Sequence, residues 1–500
     1  MKLKLKVLKP FVIRILMNSM TGNIKDLRRL TRFKNLPFKN PGLKEFLKSL
    51  SRGIEEETGF ALLFARLGQA ASPTVRRKII ENIIWGQGVG FHEKRMALEN
   101  RGMFFPHLIA MSPTMRCNLK CTGCYSGLYT KEGELGEEIM DRVLSEQREN
   151  GSRISVITGG EPYLLKDQLL RLFEKYNDMI FLTYTNGTLL DDETVKELGR
   201  LGNVMPAISV EGYEEETDKR RSTGVHRKAL EAMARLKREG VMFGVSVTYT
   251  SQNIDTITTD EFVQYYIDQG ALFAWYFMFM PVGKDPILDL VPSPEQRVYV
   301  GQRVAELRSK HPLFMSDFWN DGPAAGGCLA GARRYLHIVN SGRIEPCVFA
   351  HFGVDNIRDK SVLEAANSPF FKAIREKFPY NDEGNLRRPC MIIDNPEVLR
   401  EAVDTYMVPE GHKHSEDIIH DPKVVRWVDD YASAFKALVD PMWEKDTNDP
   451  NSRWYKGGEE YHDLFKYHKK SAKKKEAKKA VKSSEAERSA KKTAEKVEVT

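Results

Sequence analysis

Three cysteines, Cys117, Cys121 and Cys124, fall within eight positions of the run MSPTMRCNLKCTGCYSG. An iron–sulfur cubane has four irons and usually takes four thiolates. Three thiolates from one loop wrap one face of the cube and leave the fourth iron open, and an open metal position is where a small molecule chelates and reacts. The spacing therefore predicts a [4Fe–4S] cluster held by Cys117, Cys121 and Cys124. A structural zinc knuckle would need a fourth ligand, and no His or Cys follows Cys124 within a dozen residues. Six cysteines in 500 residues are too few for a disulfide scaffold. Their crowding points to metal binding in a reducing compartment.

Such a loop needs a scaffold, and the sequence supplies one from about residue 107. Short β-rich runs alternate with helical stretches: HLIAM then 136–149, ISVIT then 166–176, IFLTYT then 191–200. PAISV then 226–239, FGVSVTYT then 258–269, and finally FAWYFMFM continue the alternation. In 226–239, Ala229, Leu230, Met233 and Leu236 share one face, and Gly240 is a stop signal. Six strands, the first five each trailed by a helix, predict an α/β fold with a parallel sheet and right-handed crossovers. The cysteine loop directly follows the first strand.

Further groups suited to binding fall at the strand ends. Gly159 and Gly160 let the backbone approach a neighbour closely, since a Cβ would intrude. Glu161 suits an ammonium group, and Arg221 suits a carboxylate or hydroxyls. Ligands in such sheets bind beyond the carboxyl ends of the strands. In this order the motifs resemble those of the radical S-adenosylmethionine (SAM) superfamily. The matching residues are C-x3-C-x2-C, Gly159-Gly160-Glu161-Pro162, Thr185-Asn186-Gly187, Ser209-Val210-Glu211-Gly212, Asp218 with Arg221, and Met280-Pro281-Val282-Gly283. The resemblance covers about 107–400. It implies a partial (β/α)6 TIM-like barrel and SAM contacts from Gly159, Gly160, Glu161, Asn186, Ser209, Glu211 and Arg221. It also implies a low-potential electron donor of the ferredoxin or flavodoxin kind. The chemistry implied is reductive cleavage of SAM to a 5′-deoxyadenosyl radical, which takes hydrogen from a substrate; the cofactor carries that step and the protein supplies position. The residue before the third cysteine is usually aromatic in the family; here it is Gly123, and Tyr125 is the expected substitute.

Cys328, Cys347 and Cys390 remain. CLAGARRYLHIVNSGRIEPC reads as C-x13-G-x4-C around a hairpin, with Gly342 at the turn. This resembles the auxiliary-cluster domains called SPASM and, in shortened form, twitch. A full SPASM domain needs seven cysteines, so the resemblance implies one auxiliary [4Fe–4S] cluster on Cys328, Cys347 and Cys390, with an open or non-cysteine fourth ligand. Buried core thiols are the competing reading. His412, His414 and His420 form a loose group that offers a ligand or, more simply, a solvated loop.

Charge is unevenly spread over the chain's net +7. Residues 1–52 hold fourteen Lys/Arg against Asp26 and Glu45, net +12; residues 466–500 hold thirteen against five Glu, net +8; the body between is −13. A domain-wide nucleic-acid footprint is not expected. The N-terminal region 1–105 reads as helical and basic. Its Lys2, Lys4, Lys6, Lys9 and Arg14, interleaved with apolar residues, suit either peripheral contact with an anionic membrane or a solvated helical cap over the barrel mouth. The expected organisation is a SAM core at 106–310, an auxiliary domain at 311–400, a helical extension at 401–465 and a disordered Lys-rich tail at 466–500. No signal peptide or membrane span is apparent, so a cytoplasmic protein is expected, peripheral to the inner membrane face if the basic start engages lipid. A peptide or protein is the first substrate expectation, a membrane lipid or isoprenoid the second. A non-catalytic iron–sulfur electron carrier or redox sensor is the rival.

Overall fold

The computed structural model describes residues 2–31, 48, 50–283, 287–462 and 464. The Lys-rich tail from 466 lies outside the described residues, as do the side chains of residues 2–8. Among the described residues no helix is long and apolar enough to cross a membrane.

Seven parallel strands run side by side in chain order. They are β1 (Leu108–Met111), β2 (Ile154–Ile157), β3 (Ile180–Thr185), β4 (Val204–Val210), β5 (Gly244–Tyr249), β6 (Phe273–Met278) and β7 (Phe314–Asp317). Helices follow the strands, and each has a local reason. Helix Asp192–Leu201 starts where the Asp191 side chain accepts from Thr194 N, and it stops at left-handed Gly202. Helix Val225–Arg238 buries Ala229, Met233 and Leu236 as its periodicity predicts, with Leu230 half-buried at the margin of that face. These apolar faces join the outer side of the sheet in one large core. Each fully buried Leu, Val, Ile or Phe there contributes about 1.5–3 kcal/mol.

The architecture is α/β, with β1–β6 forming the expected six-stranded partial barrel. Two things go beyond periodicity. The core sheet does not stop at residue 310: β7, only four residues long, adds a seventh parallel strand against β6. The hairpin read from the cysteine spacing is present as β8 (Tyr335–Ile338) and β9 (Arg343–Glu345), and β8 pairs parallel with β1. With β10 (Asp355–Asn356) the order is β10-β9-β8-β1-β2-β3-β4-β5-β6-β7. The auxiliary segment therefore extends the barrel sheet itself, and the barrel stays open between β7 and β10.

The N-terminal helices cap the barrel at the amino ends of its strands, opposite the end expected for a cap over the mouth. Asn82 Nδ2 donates to Asn177 O and Met179 O, just before β3. Gln87 Nε2 donates to His107 O before β1, and its Oε1 accepts from Arg153 N before β2. Arg66 of helix Gly59–Ala70 donates to Ala271 O and Ile267 O before β6. Ile13, Leu16 and Met20 are buried in this cap's own core beside Leu272. In the second half of the first helix (Lys2–Ser19), Ile13 and Leu16 thus turn to protein.

Candidate functional site

All six cysteines line one cavity of about 1400 Å³ inside the barrel. Cys117, Cys121 and Cys124 come from the loop after β1; Cys328 precedes β8, Cys347 follows β9, and Cys390 sits before helix Pro396–Tyr406. Among the described residues no three His, Cys, Asp or Glu side chains gather tightly enough for a single ion. A cubane instead takes one thiolate per iron, which suits thiols spread along a wall.

Burial pushes the enclosed thiols up: Cys328 to about 12, with Cys121, Cys347 and Cys390 also raised. These groups are neutral near pH 7 without metal, and binding iron must release their protons.

The glycines at the strand ends have a specific task. A Cβ on Gly160 would lie 2.0 Å from Arg116 O, and one on Gly159 2.4 Å from Thr114 O. Gly160 N donates to Thr114 O and Glu161 N to Arg116 O, at 3.0 and 2.8 Å. What approaches these glycines so closely is the backbone of the cysteine loop. Gly283 does the same from beyond β6, where a Cβ would meet Tyr125 O at 2.3 Å.

The missing aromatic before the third cysteine is also accounted for. Gly123 has φ +60°, and a Cβ there would lie 2.5 Å from the ring of Phe279. Phe279, from the far side of the barrel, fills the space an aromatic at 123 would take. Tyr125 instead meets Thr158 Oγ1 through its hydroxyl at 3.1 Å and packs edge-on against Phe349. Gly123→Ala combines a left-handed φ with a clash against an aromatic ring. It should lower iron at the loop cluster at least about tenfold, with the auxiliary iron retained, read by iron analysis and spectroscopy of the reconstituted protein.

The expected SAM residues divide into two sets. Gly159, Gly160, Asn186, Ser209 and Arg221 are on the cavity wall; Glu161 and Glu211 lie behind it. Glu211 accepts from Arg220 Nη1 and Arg221 Nε, both at 2.6 Å. Burial alone would raise its carboxyl, but the two guanidiniums outweigh that and hold it below its ordinary value. Its work is to aim Arg221 and Arg220, of which sequence reasoning named only the first.

Glu161 is fully buried and accepts from Tyr163 N, Thr185 Oγ1 and Asn186 N at 3.1, 2.7 and 2.9 Å. It ties the end of β3 to the GGEP turn. Burial lifts its carboxyl from 4.5 to about 7 against those donors and Arg221. A folded value above the unfolded one means the group's stabilisation is complete below pH 4.5 and is lost as pH rises through 7. The loss is at most about 3 kcal/mol. Glu161→Gln should flatten that part of the curve in urea unfolding between pH 4 and 8.

A buried polar chain joins the two cysteine sets. Tyr129, five residues past Cys124, donates to Glu345 Oε2 at 2.8 Å; Glu345 lies two residues before Cys347. His337 bridges Glu345 (2.9 Å) and Ser112 Oγ (2.7 Å). His412, His414 and His420 are not brought together. His412 pairs with His351 at 2.8 Å, while His414 and His420 face Asp417 and Asp404.

The fold and site together define an enzyme that presents thiols and Glu211-paired arginines at the carboxyl ends of a partial barrel. Residues 111–264 match the radical SAM superfamily. That segment belongs to the superfamily, and it holds the cysteine loop, the GGEP turn and the Glu211–Arg221 pair. Its cofactors are a [4Fe–4S] cluster and SAM. The Fe-coproporphyrin III synthase of Methanosarcina barkeri is 32% identical over 154 residues, which is 30% of this chain and 39% of that protein. The AdoMet-dependent heme synthase of the same organism is 26% identical over 325 residues, 59% of this chain and 90% of that one. This chain thus spans under half of the first relative and most of the second. Among solved structures, Streptococcus suis SuiB bound to precursor peptide SuiA has a TM-score of 0.50 at 18% identity, covering 72% of this chain and 87% of that chain. That last likeness is one of fold.

Proposed function

We propose that this protein cleaves SAM reductively and removes a hydrogen atom from a substrate held between the two cysteine sets. The observation that carries this is the single cavity shared by all six cysteines. Cys117, Cys121 and Cys124 would hold the cluster that supplies one electron to SAM. Asn186, Ser209 and Arg221, which line the wall, would receive the polar parts of SAM. Cys328, Cys347 and Cys390 would hold the auxiliary cluster across the cavity. The apolar part of the lining would hold water away from the reacting atoms, which protects a one-electron reaction from side reactions.

A peptide or protein substrate has support from the fold shared with peptide-bound SuiB. A lipid or isoprenoid has support from the apolar lining. An electron carrier has no need of a walled cavity beside its thiols. Anaerobic reconstitution with iron and sulfide, then dithionite and SAM, should give 5′-deoxyadenosine. Iron loading without any such product, with peptides and lipids both supplied, would return the chain to the carrier class.

A further inference from the structure

The inner face of the barrel changes character along its length. The inward residues at the amino ends of the strands are Leu108, Ile154, Ile180, Met205 and Phe273, with the half-exposed Phe314 at the sheet edge. Those at or just past the carboxyl ends include the hydroxyl-bearing Thr158, Tyr184, Ser209 and Thr248 beside the apolar Phe277 and Phe279. The charged residues of the lining, Arg116, Lys120, Lys131, Arg220 and Arg221, all lie at the cysteine end. Phe273 to Phe277 along β6 alone spans roughly 13 Å at the rise of a strand. Leu63, Phe64, Leu67, Ile83 and Ile84 of the cap also line the cavity and close its amino end. A small apolar cluster around Leu182, Ala207 and Phe273 occupies this interior, separate from the core outside the sheet.

We infer that the substrate is an amphiphile with one long hydrocarbon chain. Its polar group sits among the hydroxyls and arginines at the cysteine end, and its tail runs down the barrel toward the helical cap. This rests on the radical SAM reading and adds the substrate class and its orientation. The reacting carbon then lies near the polar group, because the cysteines are at that end.

A peptide fits the lower barrel poorly. Every residue brings a backbone donor and acceptor, while the strand backbones are already paired to one another in the sheet. Each peptide group left unpaired costs on the order of tenfold to a hundredfold in affinity. A hydrocarbon chain has nothing to pair and gains about fourfold per buried methylene. The cap residues then act as a floor that sets the longest chain accepted.

The test uses the reconstituted holoenzyme without SAM, titrated calorimetrically with decanoate, myristate, palmitate and stearate. Affinity should climb about fourfold per methylene and then level off once the tail reaches the floor. Ile84→Trp raises the floor and should move the levelling point to a shorter chain. Phe60→Ala, at a half-exposed position on the same lining, should move it to a longer one and carries the test if the first variant fails to fold. Affinity independent of chain length, or a levelling point unmoved in every folded variant, overturns the inference. So does tight binding of an unlipidated peptide with none of the fatty acids. Formation of 5′-deoxyadenosine is measured separately: its absence beside chain-length-dependent binding would sink the activity and leave the hydrocarbon site standing.

Discussion

Cys121→Ala should abolish SAM cleavage while leaving the protein folded and half its iron in place. The three thiols of the loop come from residues whose backbone is pinned by Gly159, Gly160 and Gly283, so no neighbouring cysteine can move in to replace one. Cys328, Cys347 and Cys390 are fixed on other segments of the chain. Losing an outer partner of a metal ligand typically costs 10–100-fold, so losing a ligand should cost at least roughly a thousandfold in 5′-deoxyadenosine formation. Iron should fall from about eight to about four per chain. Cys328→Ala gives the complementary result, with the loop cluster loaded and the auxiliary iron gone. If both variants kept full iron, neither set of cysteines would be a ligand set.

Asp394→Ala should be strongly destabilising. Asp394 and Arg297 form an ion pair in which both side chains are 0% exposed, with contacts of 2.5 and 3.1 Å. The Arg297 guanidinium lies 3.7 Å over the Phe435 ring, so helix Pro422–Asn448 seals it from water. Removing the carboxylate leaves a buried cation without its partner, a cost of about 3–5 kcal/mol. Against a typical total of about 5–15 kcal/mol that is a large share. Asp394 also accepts from Cys390 N at 3.0 Å, so auxiliary iron should fall with stability. The double variant Arg297→Met with Asp394→Ala removes both charges and should recover most of the stability in urea unfolding, but not the Cys390 anchor. A single variant within about 1 kcal/mol of the parent protein would show that the pair does not hold this region.

Much of this was legible in residue order. Three cysteines in one loop, motifs at successive strand ends and a period-3.6 face at Ala229, Met233 and Leu236 are local signals, and the structure realises them as read. The hairpin around Gly342 was legible too, because turn chemistry is local. β7 was not, since four residues with an exposed Phe314 carry almost no periodicity. Nor were the roles of Glu161 and Glu211. A carboxylate beside a glycine pair looks the same in sequence whether it faces a ligand or accepts three bonds from its own chain.

The sequence by itself determined the chemistry: which thiols exist, how closely they are spaced, and that glycines and arginines recur where strands end. Only the tertiary structure decided that Cys328, Cys347 and Cys390 open onto the same cavity as Cys117, Cys121 and Cys124. It alone put Phe279 against Gly123 and the helical cap at the amino ends of the strands. The reason is physical. Ligand spacing and helix faces are set by neighbours a few residues away, whereas a shared cavity depends on which distant segments the sheet brings side by side. Here β8 pairs with β1 across more than two hundred residues of chain, and no local pattern encodes that pairing.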